Sequence, residues 1–97
     1  MANFIVSYDL NGSLPTHQQM DHHIRSLGPA FVCDRVLETV WYLGGPTHTV
    51  PLRNYLRQIL RPEDRLLVVE ARNAAWQNLL VPDAAVKYEI ERQPLAA

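Results

Sequence analysis

The chain has 97 residues, 47% of them hydrophobic and 20% charged, with a formal net charge of −1. That length supports one domain with a modest core, and the composition excludes a disordered chain. The near-neutral balance is a poor one for a strong nucleic-acid binder, whose affinity rests on many phosphate contacts. No apolar run approaches the roughly 20 residues that span a bilayer, so no membrane partner is expected. The first residues lack the basic-then-apolar order of a secretory signal, which makes cytoplasmic the expected location. Cys33 is the single cysteine, so an internal disulfide is excluded and a buried reduced thiol is expected. Eight of the nine basic residues are arginine, whose planar fork suits phosphates and carboxylates.

In chain order, residues 3–8 (Asn-Phe-Ile-Val-Ser-Tyr) are β-branched and aromatic and predict a strand, with Asp9 at its C-terminal end. Asn11, Gly12, Ser13 and Pro15 read as a loop. Thr16 and Gln19 have the spacing of a capping box. Met20, Ile24 and Leu27 follow at helical spacing, Asp21 and Arg25 are set for an i,i+4 ion pair, and Gly28-Pro29 stops the helix. Residues 30–43 predict strand again, with a turn or bulge at Asp34-Arg35. The reading is either a short strand over 30–37 and a longer one over 38–43, or one bent strand. A second helix is expected over 50–60, with Thr49 as N-cap and Leu52, Tyr55, Leu56, Ile59 and Leu60 as its apolar face. After the Pro62-Glu63-Asp64 turn, Arg65 to Ala71 is apolar on both faces, the pattern of a strand in the middle of a sheet. A short helix is expected over 74–80, with Trp76, Leu79 and Leu80. Residues 86–91 alternate, with Val86, Tyr88 and Ile90 on the apolar side of a half-buried strand.

Strand, helix, two strands, helix, strand is the order of the split βαβ unit. The predicted fold is therefore α+β: a single ferredoxin-like βαββαβ sandwich over 1–97, with its core at about 3–71. Two helices cover one face of an antiparallel sheet, and a C-terminal helix and strand extend it over about 74–91. The extra strand has no slot in a four-stranded sheet. It would lengthen an edge or cross to a second subunit.

Ser7-Tyr8-Asp9-Leu10 resembles the hydrophobic-Tyr-Asp-Ile opening of the CRISPR-associated Cas-two family. Arg35-Val36-Leu37-Glu38-Thr39-Val40-Trp41 resembles that family's Arg-Val-Gln-x-Ser-Val-Phe stretch, and Glu63-Asp64-Arg65-Leu66-Leu67-Val68-Val69 its acidic turn and central strand. The likeness spans roughly residues 3–71. It is stronger to small stand-alone relatives, the VapD-like proteins and bacterial proteins labelled SinR family, which share a Tyr-Asp-Leu opening, a Thr-Trp strand and a Leu-Leu-Val-Val strand. The resemblance implies a ferredoxin-like homodimer whose C-terminal strand crosses to the partner. In some members it implies endonucleolytic cleavage of RNA or DNA, with a divalent ion, Mg2+ or Mn2+, held by the strand-end Asp of both subunits. Carried onto this chain, that role falls on Asp9, with Tyr8 beside it and Thr39 at the position of the family's Ser. Leu37 and Trp41 depart from the family's Gln and Phe.

Each candidate also has a plainer reading. A hard divalent ion takes one or two carboxylates and substrate phosphate, so a pair of Asp9 side chains across a two-fold axis suits it. Alternatively Asp9 caps the Asn11-Gly12 turn, or two facing carboxylates make the pair pH-sensitive. His17 and Asp21, one helical turn apart, could share a transition metal; with His22 and His23 they equally form a solvated helix face. Arg53, Arg57 and Arg61 repeat at i, i+4, i+8, a row that could track a nucleic-acid backbone or simply face water. Trp41 reads as a core or dimer-interface anchor, and Val86, Tyr88 and Ile90 as interface if the last strand crosses. No Walker loop, dinucleotide fingerprint or Cys-x-x-Cys is present. Two function classes stay open: a nuclease centred on Asp9, with Arg35 steadying phosphate, and a non-catalytic dimeric scaffold for a protein or nucleic-acid partner.

Overall fold

The computed structural model describes residues 2–73, 75 and 77–80. Strand β1 (Ala2–Asp9) buries Phe4, Val6 and Tyr8 on one face, so alternation puts Asn3, Ile5, Ser7 and Asp9 on the other. Helix α1 (His17–Arg25) starts at the expected capping box: Thr16 Oγ1 accepts the Gln19 N–H and Gln19 Oε1 accepts the Thr16 N–H. Beyond its C-cap, Gly28 takes φ +100°, a conformation costly for any residue with a Cβ. Strands β2 (Val32–Leu37) and β3 (Val40–Gly45) join at a turn over Glu38 and Thr39. The irregularity between them lies between Arg35 and Leu37. Helix α2 (Thr49–Leu56) tightens into a 3₁₀ turn at Arg57–Ile59, and its N-cap is His48 rather than Thr49. Strand β4 (Arg65–Glu70) follows.

The sheet order is β2-β3-β1-β4, and every neighbouring pair is antiparallel. The chain is thus α+β, with a four-stranded antiparallel sheet and two helices, an arrangement compatible with the ferredoxin-like fold. Met20 and Ile24 of α1 and Leu52 and Leu56 of α2 close over Phe4, Val6, Tyr8, Trp41 and Leu43 on one face of the sheet. On the other face a smaller cluster joins Val36 and Tyr42 with Ile5, Val32, Val40 and Leu79. There the Tyr42 hydroxyl donates to Oδ1 of the buried Asn3 at 2.5 Å.

Three expectations change. The strand apolar on both faces lies at an edge of the described sheet, not in its middle, because β1 is taken on its other side by β3. The described residues of 74–80 form no helix. Asn78 has φ +56°, which interrupts a right-handed turn. The Leu80 N–H bonds to the Val36 carbonyl at 2.9 Å, while the Ala71 N–H bonds to Asn3 at 2.8 Å. The chain therefore passes from the β4 side to β2 and sets Leu79 on the second face. Third, Arg25 makes no ion pair with Asp21; its guanidinium sits 5.0 Å from the centroid of the Trp41 ring. The strand expected over 86–91 lies outside the described residues. No described helix is long and apolar enough to cross a membrane.

Candidate functional site

Asp9 ends β1, exposed, beside Arg65 of β4 in the strand register. Paired residues of an antiparallel ladder share a face, so both belong to the face opposite the helices. The Asp9 carboxylate makes no hydrogen bond to another described residue. It does not cap the following turn. That task falls to Asp64, whose Oδ1 accepts the Asn11 N–H and whose Oδ2 accepts the Arg61 N–H, each at 2.9 Å. Those two N–H donors, first that of Arg61, hold the Asp64 carboxyl below the ordinary aspartate range.

The other residues grouped with Asp9 separate from it. Tyr8, one residue away, points to the opposite face by the two-residue period of a strand. It is 2% exposed within the helix-side core. Arg35 pairs with Trp41 in the register and so also lies on the helix side, where its charge reaches Tyr8. Thr39 stays at the Asp9 end, with its carbonyl accepting the Tyr8 N–H at 3.1 Å. Trp41 is fully buried under α1, so of its two readings, core or dimer-interface anchor, the core one holds: its surface is spent inside its own chain. Val86, Tyr88 and Ile90 lie outside the described residues.

The helix side holds a polar knot that the sequence did not announce. The Tyr8 hydroxyl, the Trp41 indole Nε1 and Asp21 Oδ1 are all buried without a hydrogen-bond partner among the described residues. Trp41 and Asp21 are near enough to act on Tyr8 ionisation, yet neither closes a bond of good geometry. Burial dominates and pushes the Tyr8 phenol up. Of the first-helix histidines, His23 stacks on Tyr55 with centroids 4.3 Å apart, and its Nε2 lies 2.7 Å from the Tyr55 carbonyl. The Tyr55 hydroxyl returns a bond to the His23 carbonyl at 2.8 Å, so this histidine ties α1 to α2. Among the described residues no group of three or more His, Cys, Asp or Glu converges as a metal site. Burial raises the half-buried Cys33 thiol, so it is no activated nucleophile.

The face carrying Asp9 also carries uncovered apolar surface. Leu67 and Val69, the outward residues of β4, are 60% and 44% exposed, and Leu37 near the β2 end is 46% exposed. They adjoin the cluster of Ile5, Val32 and Val40. No family model, curated protein or solved structure matches the chain.

Proposed function

We propose that the chain works as a homodimeric module whose two copies meet through the sheet face opposite the helices. One observation carries this reading: β4 turns Leu67 and Val69 outward, exposed, beside Ile5 on β1. Leaving such residues in water forfeits about 1.5–3 kcal/mol for each side chain that could be fully buried. A second copy presents the same patch, so a two-fold axis covers both at once. Light scattering on the eluting protein tests this. A mass near twice 11.1 kDa supports the reading, and a monomer at high micromolar concentration contradicts it.

A second reading rests on the freedom of the Asp9 carboxylate, which Asp64 has released from turn-capping. In a pair whose axis passes the Asp9 end, two carboxylates and substrate phosphate would suit Mg2+ or Mn2+. The ion would supply charge neutralisation and an activated water for phosphodiester hydrolysis. Arg65, the strand-register partner of Asp9, rather than Arg35, would then steady the phosphate. Cleavage of labelled RNA or DNA that needs the ion and vanishes in Asp9→Asn supports the nuclease. Absence of cleavage leaves the scaffold.

A further inference from the structure

Arg53, Arg57 and Arg61 do not form the straight row their spacing suggests. Helix α2 ends at Leu56, Arg57 opens the 3₁₀ turn, and Leu60 is extended, so Arg61 leaves the helix direction. The bend brings all three around one groove of about 360 Å³, lined also by Leu60, Pro62, Asp64 and Leu66. All three arginines are exposed. Among the described residues none of their guanidiniums has a carboxylate in ion-pair range. Arg53 donates from Nε and a terminal nitrogen to Asn54 Oδ1, which holds it side-on and leaves its other donors free. Among the described lining residues the one carboxylate, Asp64, is turned to the Asn11 and Arg61 amides. The lining therefore carries two positive charges in excess.

We propose that this groove binds one phosphate monoester group, carried by a nucleotide or by the end of a nucleic-acid strand. A straight row of cations would follow successive phosphates along a backbone. Three arginines lining one concavity instead match a single group with three acceptor oxygens. Leu60, Pro62 and Leu66 give the adjoining sugar or base an apolar wall. The groove lies on the helix side of the sheet, so this inference is independent of pairing through the opposite face.

The test is fluorescence anisotropy of a short labelled single strand bearing a 5′-phosphate, against the same strand ending in a 5′-hydroxyl. Adenosine monophosphate and adenosine serve as competitors. The full-length protein is expected to bind the phosphorylated strand about tenfold tighter, with affinity falling as salt rises. Displacement by the monophosphate but not by adenosine assigns a free nucleotide; binding of the phosphorylated strand without that displacement assigns the strand end. Arg57→Gln is expected to weaken binding about tenfold and Arg57→Lys less, because lysine keeps charge but loses the fork. The exposed Arg72→Gln serves as the control without effect. Equal affinity for both strands, no loss in Arg57→Gln, no binding of either probe, or preference for a polyglutamate peptide would each overturn the proposal.

Discussion

Two buried tyrosine hydroxyls in this protein should respond oppositely to the same substitution. Tyr42, fully buried, donates to Oδ1 of Asn3, itself 5% exposed. Tyr42→Phe removes the donor and strands a buried amide oxygen, at a cost of about 1–3 kcal/mol. Among the described residues the Tyr8 hydroxyl has no partner, and neither do the adjoining Trp41 Nε1 and Asp21 Oδ1. Tyr8→Phe keeps the ring and deletes an unsatisfied polar atom, so it is expected to be neutral or to stabilise by up to about 2 kcal/mol. The gap between the variants, about 1–5 kcal/mol, corresponds to at least about 4 °C in Tm for a domain of this size. Urea unfolding at one fixed protein concentration reads it as a shift in midpoint at constant slope. Equal destabilisation by both substitutions would rule out this difference between the two hydroxyls. It would mean that the Tyr8 hydroxyl is satisfied, for instance by a water bridging it to Trp41 and Asp21.

Gly45→Ala should destabilise by about 1–3 kcal/mol, because the added Cβ would lie 2.2 Å from the Phe31 ring; thermal unfolding checks it, and an unchanged Tm would show that the ring moves aside freely. Asp64 has a depressed pKa, so its stabilisation is complete above the ordinary aspartate range and fades as pH falls through that range and below. Asp64→Ala should therefore flatten the acid limb of a stability–pH profile, and an acid limb identical to the parent's would count against the role of its two amide bonds. Cys33, Tyr8 and Tyr55 are all raised by burial, so the stabilisation they give is present at neutral pH and is lost as pH rises past 9 to 10 and through their folded values. Denaturation midpoints should fall across that alkaline window, and a flat profile would contradict the burial of these groups.

The element order was legible because local signals agreed with it: the Thr16–Gln19 box, the stop at Gly28, and the period-two alternation of β1. The grouping of site residues was less legible. Tyr8 and Asp9 are adjacent in sequence, but a strand sends neighbours to opposite faces. Whether Arg35 joined one or the other depended on its register with Trp41. The arginine row was visible as spacing, yet the end of α2 at Leu56 turned a line into a cradle. The Asp21–Arg25 spacing met the helix rule, but the Trp41 ring beneath α1 captured the guanidinium. The Tyr8–Trp41–Asp21 knot joins three elements distant in sequence, and no local pattern marks it. The doubly apolar pattern of β4 predicts a central strand, yet β4 lies at the edge of the described sheet, where Leu67 and Val69 stay exposed.

Sedimentation equilibrium of the parent, Leu67→Asp and Val50→Asp tests the proposed pairing of two copies through the face carrying Leu67. Val50 is a comparably exposed apolar residue on α2, 54% against 60%. Covering Leu67 is worth about 1–2 kcal/mol per copy and counts twice in a symmetric pair. Leu67→Asp should therefore raise the dimer dissociation constant at least about 30-fold, while Val50→Asp leaves it unchanged. A monomeric parent, or a dimer indifferent to Leu67→Asp, would rule out pairing through this face.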